Sequence, residues 1–176
     1  MEKKKVERRL KLISIFYYLV IVSMLVLSFL EVGLFLDDKP YQRSFFDAVY
    51  ESYVWSYLSA LGGILGSLLS ILTIFISLED PNLMEAISQF VSAVFLSFVM
   101  YNFSKRKDWA RGVLAVVSFV GFLFGGFITL FGTLFFLELR LDYFLGLVPN
   151  LLILVLYLIA GIYLMKQDVK RVFSKN

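Results

Sequence analysis

A chain of 176 residues with 60% hydrophobic side chains and a mean hydropathy of +0.82 is far more apolar than ordinary soluble domains, whose apolar share is about 45–50%. Cysteine and histidine are both absent, which excludes disulfides, thiol nucleophiles, imidazole bases and the usual transition-metal ligand sets, and no cofactor is implied. The formal charge of +3 resides in short basic clusters beside apolar segments, where the positive-inside bias accounts for them without a nucleic-acid partner.

About 20 apolar residues, rising 1.5 Å each, cross a hydrocarbon core of about 30 Å, and within it every backbone polar group must be paired inside the helix. Five stretches meet or approach this criterion. The first, Leu12 to Leu30, extends through Glu31 to Leu36; it follows a charged start but exceeds a signal-peptide core and lacks a small-x-small cleavage site, so it reads as a retained anchor. The second, Ser52 to Leu78, is charge-free for 27 residues, and Ser44 and Asp47 at capping-box spacing place the start of its helix near 44. Ala86 to Ser104 follows a tight connection in which Asp80 is an N-cap, Pro81 the first helical residue and Glu85 a first-turn acid. Gly112 to Leu137 and Tyr143 to Met165 complete the set, with Tyr101 and Trp109 placed as an interfacial aromatic pair.

These signals predict a single transmembrane domain with helices over about 12–36, 44–78, 82–104, 109–137 and 143–168. The fold class is all-α: a polytopic membrane helix bundle of five apolar helices, of which at least four cross the bilayer.

Sidedness is contested by the charges themselves. The six flanking segments carry six, two, no, four, one and four Lys or Arg in chain order, and the three basic ones would all lie in the cytoplasm. Three apolar stretches between the N-terminus and Lys105 give the wrong parity for that. If all five stretches cross, the N-terminus is outside and 10 basic residues face 7; if one of the first three enters without crossing, 14 face 3. Both arrangements put residues 105–111 and the C-terminus in the cytoplasm and residues 79–82 outside a multi-pass cell-membrane protein.

Glu31 is the single ionisable candidate within a span; snorkelling to the interface explains it, and a proton- or cation-coupled role is the alternative. Ser88, Gln89, Ser92 and Asn150 supply uncharged polar groups suited to interhelical hydrogen bonds, or to a polar path if the protein moves a solute. Small residues recur four apart at Gly62 and Gly66, beside Gly63, and at Gly121, Gly125 and Thr129, stripes on which another helix can approach closely. No catalytic constellation is present, and no metal site. The basic clusters anchor topology and attract anionic headgroups, and residues 168–173 continue the last helix as a short amphipathic tail.

The run Tyr101-Asn102-Phe103-Ser104-Lys105-Arg106-Lys107-Asp108-Trp109-Ala110-Arg111, the Gly-rich stretch after it, Asn150-Leu151-Leu152-Ile153-Leu154 and the closing Lys166 to Phe173 resemble small uncharacterised four-span prokaryotic membrane proteins. In those a basic Trp-Ala-Arg turn joins spans two and three. The resemblance covers about Ser52 to Phe173, implies that Ser52 to Leu78 is a full span, and brings no activity with it. The expected function is non-enzymatic: a small subunit or scaffold in contact with the lipid bilayer and with another membrane subunit or itself. A small transporter or channel lined by Ser, Gln and Asn is the alternative.

Overall fold

The computed structural model describes residues 2–36, 81–135 and 141–174, and all regular structure among them is helical. The helices are α1 (Glu2–Leu36), α2 (Pro81–Ser104), α3 (Asp108–Phe135), α4 (Leu141–Met165) and α5 (Gln167–Phe173). Three segments, Lys4–Phe29, Ala86–Ser104 and Asp108–Phe127, are long and apolar enough to cross a membrane, and a fourth joins them if α4 and α5 count as one bent span.

Helix α1 begins at Glu2, not at Leu12, because the Glu, Lys and Arg of the charged start are good helix formers and extend the apolar helix without interruption. Helix α2 opens on Pro81, a residue suited to the first helical position because it lacks the N–H that would there go unpaired. Its other end is a Schellman turn: the Lys107 amide donates to Asn102 O at 3.1 Å and the Arg106 amide to Phe103 O at 2.9 Å, with Arg106 at φ 59° where glycine is usual. Helix α4 does not continue to residue 168. Lys166 is extended and α5 turns away by 66°, which lets Val169 and Phe173 bury themselves against the bundle, Phe173 stacking on Phe103 at 5.0 Å.

The helices associate chiefly as two pairs, α1 with α2 and α3 with α4. Buried positions on α1 include Leu10, Ile13, Tyr17, Val20, Met24 and Leu27; those on α2 include Ala86, Gln89, Ala93, Leu96, Met100 and Phe103. Both series alternate steps of three and four, the spacing that keeps one seam facing a partner helix. Ser28 donates its hydroxyl to Ala86 O at 2.8 Å, so the late part of α1 lies beside the start of α2 and the pair is antiparallel. The two pairs are joined by Tyr17, which reaches α3, and by Phe16, edge-on to Tyr157 of α4 at 5.0 Å.

Arg9 sits over the Tyr163 ring at 5.5 Å, Arg106 over Phe173 at 5.5 Å, and Arg111 reaches Leu164 O at 2.7 Å. The N-terminal, 105–111 and C-terminal basic segments therefore share one end of the bundle. With α1 and α2 antiparallel, the N-terminal segment and Lys105 lie at the same end of the described helices.

Candidate functional site: a buried amide and the basic end

Ser88, Gln89 and Ser92 are brought together on one buried face of α2. The hydroxyl of Ser92 donates back to Ser88 O at 2.6 Å, and on α1 Ser23 does the same to Leu19 O at 2.8 Å. These hydroxyls are satisfied by their own helices, a common outcome for Ser within an apolar helix. Gln89 differs. It is 0% exposed, and neither Nε2 nor Oε1 has a hydrogen-bond partner among the described residues. A buried unpaired amide costs about 1–3 kcal/mol, so Gln89 is the conspicuous polar liability of the α1–α2 seam among those residues.

Asn150, half-exposed on α4, is not hydrogen-bonded to this group among the described residues. Glu31 lies in α1 and Thr129 in α3, but their side chains are outside the described set, as are Gly62, Gly63, Gly66 and the cap at Ser44.

The glycine stripe on α3 meets α4 of the same chain. A Cβ on Gly121 would lie 3.3 Å from the Tyr157 ring, and Gly125 is buried. The buried series on α3 runs Leu114, Ser118, Gly121, Gly125, alternating four and three, so a strict four-residue repeat tracks the seam only locally. Sequence reasoning missed Gly161, where a Cβ would meet Ser118 Cβ at 3.1 Å and Phe119 Cζ at 3.2 Å.

A second missed feature is the hydroxyl network at the centre of the bundle. Tyr17 donates to Leu114 O at 2.7 Å and lies 2.5 Å from Ser118 Oγ, which also reaches Leu114 O at 2.8 Å. Both side chains are fully buried. A tyrosine on the buried seam of an apolar helix signals such a partner, because a buried phenol requires one.

At the basic end Arg111 is 8% exposed, bonds Asp108 Oδ1 through Nε at 2.7 Å, and satisfies the carbonyl of Leu164 where α4 runs out of its own donors. Lys105 bonds the Tyr101 hydroxyl and lies over that ring, while Trp109 stacks beside Phe98 at 5.8 Å. The end of the bundle is thus a built surface of cations and aromatics, not a set of loose tails.

No family model matches the chain. Nor does any curated protein or solved structure match it.

Proposed function

We propose that this is a non-enzymatic integral membrane protein, oriented with its basic end in the cytoplasm, that serves as a small subunit or scaffold. The observation carrying this reading is the use of polar groups for internal fastening: Ser28, Tyr17 and Arg111 bond carbonyls of other helices, while Ser92 and Ser118 are satisfied by their own. Close small-residue approaches at Gly121 and Gly161 likewise serve the chain's own helices. Such a bundle is a rigid element with lipid-facing sides, suited to holding a partner.

Because the chain has no cysteine, sidedness is testable with single introduced thiols. Lys5→Cys, Lys107→Cys and Ser174→Cys should resist a membrane-impermeant maleimide in right-side-out vesicles and react in inverted ones, whereas Asp80→Cys should behave oppositely. Labelling of Lys5→Cys alone from outside would refute the shared-end orientation. Purification in mild detergent should retain a stoichiometric membrane partner. The unpaired Gln89 amide favours a second reading, a small-solute transporter or channel; flux through liposomes holding the purified chain alone, lost in Gln89→Leu, would replace the first reading with it.

A further inference from the structure

Between α1 and α4, at the basic end, runs an open groove of about 430 Å³. Leu12, Phe16, Ile159 and Tyr163 contribute to its lining, and Arg9 and Lys166 stand at its charged end. We propose that this groove binds one anionic phospholipid of the adjoining leaflet, with the phosphate held at Arg9 and Lys166 and an acyl chain lying along Leu12, Phe16 and Ile159.

Three observations carry the assignment. The first is charge. Both cations are held over the same ring, Arg9 at 5.5 Å and Lys166 at 5.8 Å from the Tyr163 centroid, and Tyr163 is itself buried. Among the described residues neither is in an ion pair, whereas Arg111 at the same end is matched by Asp108. Two uncompensated, positioned cations complement a phosphodiester.

The second is length. Leu156 on α4 and Lys166 just past its end mark the extremes of this wall, ten residues apart, which is about 15 Å at 1.5 Å per residue. That is half of a hydrocarbon core about 30 Å thick, the depth of one leaflet. A partner helix would need an apolar face along the whole bundle, and an acidic peptide would have no use for an apolar floor.

The third is openness. Leu12 and Ile159 are 60% and 57% exposed, so the described residues leave the groove open. In a membrane its open side would face the lipid around α1 and α4.

The test uses full-length protein in detergent, titrated with dioleoyl phosphatidylglycerol or dioleoyl phosphatidylcholine and read by native mass spectrometry. Wild type should retain one phosphatidylglycerol in preference to phosphatidylcholine. Arg9→Gln or Lys166→Gln should each weaken retention about fivefold, and the pair about 25-fold, from the usual strength of a cation near an anionic headgroup. Lys105→Gln with Lys107→Gln removes equal charge from the same end but off the groove and should leave retention unchanged. Ile159→Trp, which fills the groove and keeps both cations, should abolish it. Equal retention of the two lipids, undiminished retention in the Arg9/Lys166 pair or in Ile159→Trp, or an equal loss in the Lys105/Lys107 pair would each overturn the proposal.

Discussion

Replacing Tyr17 by Phe removes one hydroxyl from the middle of the bundle and leaves the ring packed. The lost hydroxyl donates its one proton to Leu114 O at 2.7 Å and accepts from Ser118 Oγ at 2.5 Å, yet no acceptor is stranded, because the freed Ser118 hydroxyl can turn to Leu114 O, 2.8 Å away. The cost is therefore that of one interhelical hydrogen bond between apolar helices, about 0.6 kcal/mol and at most about 1.7. Ser118→Ala is equally clean. The Cβ that packs near Gly161 remains, and Tyr17 keeps its bond to Leu114 O. A double-mutant cycle should return a coupling of about 0.6–1 kcal/mol, measured by SDS-induced unfolding in mixed micelles. Tyr17→Ala supplies the contrast: a cavity of about 100 Å³ adds roughly 2 kcal/mol at about 24 cal/mol per Å³. Zero coupling with a neutral Tyr17→Phe would show that the hydroxyl pair contributes nothing. A Tyr17→Phe as costly as Tyr17→Ala would show that an acceptor had been stranded.

Gln89→Leu should raise stability by about 1–3 kcal/mol in the same assay, since it removes an unpaired amide from a fully buried position; a loss of stability would show that the amide is bonded. Arg111→Gln breaks the charged bonds to Asp108 and Leu164 O and should cost about 1.5–3 kcal/mol, with faster hydrogen exchange in α5, and unchanged exchange there would refute the clamp. Gly161→Val should cost about 1–3 kcal/mol by overpacking Ser118 and Phe119, whereas Gly112→Ala, with nothing within 4 Å of its added Cβ, should be neutral or gain up to about 1 kcal/mol in helix propensity; equal effects on unfolding would contradict the packing described.

Much of the helical framework was legible because a long charge-free stretch has few ways to satisfy its backbone, and local chemistry marks where such stretches begin. Pro81 opens α2 for that reason. Gly121 was found as a small residue on a helix face, but its neighbour Tyr157 was not, and Gly161 was overlooked because its importance lies in Ser118 and Phe119 on another helix. The Tyr17–Ser118 bond spans 101 residues of sequence, and no local pattern encodes that distance. The bend before α5 was read as continuity because residues 166–173 contain no proline or glycine to mark a helix end; the turn follows from Phe103 offering Phe173 a place to bury. Of the expected polar path, Ser88, Gln89 and Ser92 share a face by periodicity alone, while that same periodicity cannot say that the Gln89 amide is left unpaired among the described residues.

What the sequence determined by itself was the kind of solvent each segment suits and where the charges fall between segments, since both depend on side-chain chemistry read along one strand. Direction was decided only in three dimensions. Hydropathy is the same for a helix running either way, so the contacts of Ser28 with Ala86 and of Arg9 with Tyr163 were needed to bring the three basic segments to one end of the bundle.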